Sequence, residues 1–306
     1  MCYFLILNPH RVKEFLKVNE PFLRALVKEP PRTSNRGRKR IAERWVIVAL
    51  VVIARIEGIA WRKLGEKLAL CDFLIEEGWM TKIPSKSTFH AIWRGIGHSL
   101  LEQWIILQGK EITSRREVKG LAADSSGFKN RQASLWRFLK WSKGGLKRTS
   151  RLFRKLHLII ALPSRAIVSL THSHSNTHDS KVFGGLWQKL PPTLLRPNRR
   201  FYADSAYWTE NIVGLIKQHG LHPVIRPKSN ALIDNPLLGP IVRAHRFYPG
   251  LYNHNHHPEY RSSVEHVFGL IKLSFPPILD RLPSTILNTL YSPLICYNYR
   301  LLVQHS

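Results

Sequence analysis

The spacing of apolar residues changes once along this chain, near residue 118, and a chain that turns from helical to strand periodicity there is built from two kinds of layer. Apolar residues recur every 3.6 positions from Ile41 to Ile56, from Trp61 to Ala69 and from Ser87 to Leu107. Little in that half looks like strand. Beyond residue 118 the runs Val118–Asp124, Leu156–Leu162, Ala166–Thr171, Arg200–Asp204 and His222–Arg226 are short, apolar or alternating, and flanked by turn residues, which is the pattern of strands. Pro163-Ser164-Arg165 joins the second run to the third as a tight hairpin. Helical spacing returns from Ser180 to Leu190, with Asp179 placed as N-cap, and from Thr209 to His219, closed by Gly220 as C-cap. The chain therefore reads as a helical region, 1–117, and a mixed region, 118–306.

Three strands, a helix, a strand, a helix, a strand and a late helix follow one another in the second region. That order resembles a ribonuclease H-like mixed α/β sheet flanked by helices. The all-helical region before it suits DNA binding: Ile83-Pro-Ser-Lys-Ser-Thr-Phe-His90 reads as a helix start capped by Ser85 or Ser87, and fits a helix-turn-helix unit.

The formal charge of +27 calls for a polyanionic partner, because such a surface releases condensed counterions on meeting nucleic acid. No membrane role is expected. The longest apolar run, Trp45 to Ala54, is far short of the ~20 residues of a spanning helix and reads as a buried helix. The start, Met1 to His10, lacks the features of a signal peptide, so the expected location is the cytoplasm. Cys2, Cys71 and Cys296 are too scattered for a disulfide framework or a thiolate zinc site.

Two acids end apolar runs, Asp124 the first and Asp204 the fourth, and a third, Glu265, falls in the late helix. On that helix Arg261, Glu265 and Lys272 project within roughly 40° of one another, since each residue turns about 100°. Val264, Val267, Phe268 and Ile271 supply the opposite, apolar side. If the three acids converge at one edge of the sheet, something positive must lie between them, and hard oxygen donors suit Mg²⁺ or Mn²⁺. Two such ions serve an in-line phosphoryl displacement. Asp179 is the one other acid between Asp124 and Asp204, and a helix cap is its expected role.

The three motifs, Ala-Ala-Asp124-Ser-Ser-Gly-Phe, Tyr-Ala-Asp204-Ser-Ala-Tyr-Trp and Arg261 with Glu265 and Lys272, resemble the DDE motifs of prokaryotic insertion-sequence transposases of the group with a Tyr-Arg-Glu-Lys signature. The spacings within the third motif are those of the signature. Its tyrosine position is Pro258 here, with Tyr260 two residues later. Asn176-Thr-His-Asp-Ser180 and Lys86-Ser-Thr-Phe-His90 also look like this family, so the resemblance runs from about residue 36 to the end. The interval between Asp204 and Glu265 leaves no room for the large β-rich insertion of some relatives.

The resemblance implies a DNA transposase that cuts and joins the ends of its element. Asp124, Asp204 and Glu265 would be the catalytic acids and the ligands of two Mg²⁺ or Mn²⁺ ions, and Arg261 and Lys272 would grip phosphates. The partners implied are terminal inverted repeats and target DNA, with a homodimer or higher oligomer handling two ends in the nucleoid. The rival readings are an inactive DNA-binding remnant and a hydrolytic nuclease of the same fold.

Other features suit DNA. Lys129 to Lys155 carries ten basic residues and no acid, interleaved with Trp136, Phe138, Trp141 and Phe153, so it offers phosphate contacts and stacking surfaces, or packs onto the sheet. Tyr207 and Trp208 pose the same choice between holding a distorted base and anchoring the next helix, with Trp208 the expected DNA contact. The stretch Pro30–Arg40 is a basic arm or a leader. His172, His174, His178, His254, His256 and His257 lack the clustered spacing of a structural zinc site.

Overall fold

The structure, a computed structural model, describes residues 8–29, 41–129, 153–174, 177–248, 258–273, 278 and 282–304. The chain forms two compact units, one of Met1–Gln108 with Ile271–Ser306 and one of Gly109–Leu270.

The first unit contains α1 (Pro9–Leu26), α2 (Arg44–Ile56), α3 (Trp61–Leu68), α4 (Phe73–Glu76), α5 (Lys86–Gly95) and most of α6 (His98–Ser114). Apolar on every side, α2 is buried almost throughout, and α1 and α5 pack around it, as an all-round hydrophobic helix requires. The sequence run from Ser87 to Leu107 is two helices, broken at Ile96-Gly97. Ser85 takes the cap of α5, its hydroxyl accepting the Thr88 N–H. The short turn of a helix-turn-helix is not what precedes α5: α4 and an irregular stretch lie between it and α3. A polar hub at Asn19 ties α1 to α6, because its Oδ1 accepts from Trp104 Nε1 at 2.8 Å and Gln108 Nε2 at 2.7 Å.

In the second unit the strands β1 (Gly120–Lys129), β2 (Phe153–Leu162), β3 (Ala166–His174), β4 (Arg200–Ala203) and β5 (His222–Ile225) form one sheet in the order β3-β2-β1-β4-β5. β1, β2 and β3 run antiparallel, and β4 and β5 join β1 in parallel. This is the mixed sheet expected from the order of runs. The helices α7 (Asp179–Gln188) and α8 (Glu210–Gln218) cover one face. There Phe183, Leu186, Trp187, Ile212, Val213 and Ile216 pack on alternate residues of the strands, such as Leu121, Ala123, Ile159 and Phe201. Thr209 caps α8, its hydroxyl accepting the Ile212 N–H, and Gly220 follows with φ 74°. At Gly109 on α6 a Cβ would stand 2.1 Å from the Ile167 carbonyl oxygen, so only glycine permits that approach to β3.

The remaining helices are α9 (Gly239–Phe247), α10 (Pro258–Leu273) and α11 (Pro283–Val303). α11 belongs to the helical unit, although the sequence boundary at residue 118 grouped it with the sheet. Its Asn288 side-chain N–H group donates to the carbonyls of Trp93 and Ile96, each at 3.0 Å, and Asn298 donates to that of Ile105 at 3.0 Å. The Asn288 amide thus serves carbonyls at the C-terminal end of α5, which have no partner within the helix, and Asn298 reaches a carbonyl inside α6.

Candidate active site

Asp124 and Asp204 are brought together by the parallel register of β1 and β4. The strands pair Gly120 with Arg200, Leu121 with Phe201 and Ala122 with Tyr202, and pairing ends there. Each aspartate lies two residues past the last pair, so the two stand level on neighbouring strands and share the pleat parity of Ala122 and Tyr202. β1 does not end at Asp124 as its apolar run suggests. It continues to Lys129, held by antiparallel pairing with β2 alone. Both acids are half-buried. Asp124 Oδ1 accepts the Ser125 N–H at 2.7 Å, and Asp204 Oδ1 accepts the Ala206 N–H at 2.9 Å at the head of a short 3₁₀ turn.

α10 brings Glu265. Its Val264, Val267, Phe268 and Ile271 are buried, as their spacing predicts, while Glu265 and Lys272 are exposed. Phe268 meets Phe128 of β1 with ring centroids 6.4 Å apart. Phe128 shares the parity of Asp124, so α10 packs on the sheet face that carries this acid. Arg261 falls within α10; its side chain is outside the described residues.

Burial pushes the Asp124 carboxyl up to about 6; the Ser125 N–H opposes this, and the negative charges of Asp204, Glu265 and Asp179 add to it. Charges at the end of β4 and on α10 thus both reach the Asp124 carboxyl on β1. Tyr207, fully buried, is held well above the usual phenol range by burial and then by Asp179, Asp124 and Asp204, and its hydroxyl has no hydrogen-bond partner. Among the described residues no group of three or more His, Cys, Asp or Glu is close enough to hold a metal ion. The two observations are compatible, because charge repulsion falls slowly with distance whereas Mg²⁺ coordination requires oxygens at about 2.0–2.1 Å. The donor chemistry is that of a hard divalent cation, since the β1–β4 register sets two carboxylates, Asp124 and Asp204, level on neighbouring strands.

Asp179 is not a cap. His178 occupies the N-cap position, and Asp179 is the first residue of α7, only 7 % exposed. Its carboxylate meets Lys155 Nζ at 2.6 Å and accepts the Ser125 hydroxyl at 3.0 Å. His157 Nδ1 lies 3.3 Å from the same oxygen without hydrogen-bonding geometry, and its Nε2 meets the Ser173 hydroxyl at 2.8 Å. Burial lowers the His157 pKa to about 4 against the pull of Asp179, with Lys155 also lowering it, so the imidazole is neutral at pH 7. Sequence reasoning gave Ser125 and His157 no role and took Lys155 only as the end of a basic stretch, whereas it pairs with Asp179. A signal was present in the period-two spacing of Lys155 and His157 across from Ser125-Ser126-Gly127.

Trp208, an expected DNA contact, is 5 % exposed and sits with Tyr207 in the core under α7 and α8. Tyr207 stands edge-on to Phe183 at 5.8 Å. Both side chains are thus packed in the core rather than presented at the surface. The basic stretch 130–152, the arm 30–40 and His254, His256 and His257 lie outside the described residues.

Residues 117–281, more than half of the chain, match the family described as Transposase DDE domain. An uncharacterized protein of Aquifex aeolicus (strain VF5) is 25% identical over 253 residues, covering 80% of this chain and 73% of that protein. Among solved structures, the chain is similar to a piggyBac transposase in a synaptic complex with hairpin DNA, seen by cryo-electron microscopy. The TM-score is 0.48 at 10% identity, over 96% of this chain and 72% of that one.

Proposed function

Because the chain belongs to the Transposase DDE domain family, we propose that Asp124, Asp204 and Glu265 are the acids with which it cuts and joins the ends of an insertion sequence. One observation carries this reading: the β1–β4 register sets Asp124, on the central strand, level with Asp204, and α10, which bears Glu265, packs on the same sheet face through Phe268 against Phe128. Carboxylates gathered among phosphates weaken plain DNA binding, so their presence favours chemistry over binding alone.

The three acids would hold Mg²⁺ or Mn²⁺, two ions in all. Bound there, the cations supply charge stabilisation at the attacking and leaving oxygens of an in-line displacement. In the cutting step a water oxygen bonds to the phosphorus of the scissile diester, the bond to the 3′ oxygen breaks, and that oxygen leaves as a free 3′-OH. In the joining step this hydroxyl attacks a target diester, releasing a target 3′-OH, so one phosphodiester is exchanged for another. Lys272, and Arg261 on the same helix, would contact phosphates flanking the scissile bond. Lys86, Ser87, His90 and Arg94 form the exposed side of α5 and suit contact with the terminal repeats. Acting on two ends together calls for a homodimer or larger assembly on DNA, at work in the nucleoid. Among the described residues no helix is long and apolar enough to cross a membrane.

Labelled terminal-repeat DNA incubated with the protein, a target plasmid and Mg²⁺ tests the reading. Joined product is expected. Cut but never joined DNA would replace the transposase with a hydrolytic nuclease, and retarded, intact DNA would leave an inactive DNA-binding remnant.

A further inference from the structure

Resting on that reading of the acids, we infer that Asp179 is a positioning residue for Asp124, acting through Ser125. Ser125 bonds both acids at once: its backbone N–H donates to Asp124 Oδ1 at 2.7 Å and its hydroxyl donates to Asp179 Oδ1 at 3.0 Å. The orientation of the Ser125 peptide, and with it the rotamer of Asp124, is thereby tied to α7. The tie matters because β1 at this level has lost its β4 neighbour and is paired with β2 alone.

Asp179 is itself held. Lys155 on β2 pairs with it at 2.6 Å, and residues 155 and 157 of β2 lie opposite residues 127 and 125 of β1, so the ammonium, the imidazole and the serine hydroxyl share the α7 face of the sheet. A buried carboxylate with an ammonium and a hydroxyl on it is a costly way to fasten a helix to a sheet, and an apolar contact would serve stability as well or better. It adds negative charge close to Asp124 as well. What the charged arrangement supplies is a fixed direction. A carboxylate accepting from the Ser125 hydroxyl restrains the residue whose N–H holds Asp124, as partners behind a ligand do at metal sites.

Manganese binding to the protein without DNA, followed by the loss of the free Mn²⁺ electron-paramagnetic-resonance signal, tests this apart from catalysis. Ser125→Ala and Asp179→Asn are each expected to raise the Mn²⁺ concentration for half-saturation by about tenfold or more, with the metal-free melting temperature of Ser125→Ala held near that of the wild type. Ser125→Thr, which keeps the hydroxyl, is expected to restore the affinity. Wild-type affinity in both Ser125→Ala and Asp179→Asn overturns the inference, and so does a loss that merely tracks metal-free melting. A wild-type protein that takes up no Mn²⁺ overturns it as well. Normal Mn²⁺ binding and the expected variant effects in a protein that never cuts DNA would refute the proposed reaction and leave this inference standing.

Discussion

Replacing Asp124 by asparagine is expected to stabilise the metal-free protein at neutral pH. Its carboxyl moves from an ordinary value of 3.8 to about 6 on folding, chiefly through burial and then through the charges of Asp204, Glu265 and Asp179. A carboxyl whose folded pKa is raised binds its proton more tightly in the native state. It therefore costs nothing below about pH 4, costs progressively more up to about pH 6, and carries its full cost above that. A displacement of about two units corresponds to roughly 3 kcal/mol at pH 7.5. Asparagine has nearly the same shape and keeps an oxygen for the Ser125 N–H, so most of that cost should vanish, worth a rise of several degrees in melting temperature for a chain of this size. The measurement is thermal unfolding of both proteins at pH 4, 6 and 7.5, in chelator and in Mg²⁺. The variant should gain with pH and respond little to Mg²⁺, whereas the wild type should recover most of the difference when Mg²⁺ is added. A variant no more stable than wild type at pH 7.5, or one with the same advantage at pH 4, would refute the argument from repulsion and burial.

Further outcomes are expected from the same geometry. Asp124→Asn, Asp204→Asn and Glu265→Gln should each abolish cleavage of terminal-repeat DNA while leaving affinity in a gel-shift assay unchanged or slightly higher, since a charge is removed near phosphates; substantial cleavage by Asp204→Asn would remove it from the site. Lys272→Ala should slow cleavage or joining in single-turnover assays far more than it weakens overall binding, because the other cations of a chain of charge +27 carry the non-specific affinity. An unaltered rate would return Lys272 to the solvated side of α10. Gly109→Ala should lose about 1–3 kcal/mol in denaturant unfolding, the usual range for overpacking, because its methyl would meet the Ile167 carbonyl.

Element types in the sheet unit were legible from local pattern because strand and helix periods differ. Each of the five strand runs falls on a strand of the structure, with Val118-Lys119, Asp204 and Arg226 lying just outside the strand ends, and the order of elements pointed to the mixed sheet that forms. The amphipathic face of α10 was equally plain, since Val264, Val267, Phe268 and Ile271 needed only helical spacing to be recognised. Asp124, Asp204 and Glu265 stood out by motif, but what sets the two aspartates level is the β1–β4 register, a pairing across about 80 residues of chain that no local pattern encodes. Trp208 shows the opposite case: an aromatic beside an acid reads alike as a surface contact or an anchor, and only the helices packed over it decide for the core. The sequence could not show that α11 belongs with the helical unit, because Asn288 and Asn298 find their carbonyl partners nearly 200 residues away. Asp179 was misread for a similar reason. A carboxylate at a helix start is ordinarily satisfied by its own first turn, and here Lys155 and Ser125 reach it from two other strands, so tertiary pairing rather than local capping fixed its place.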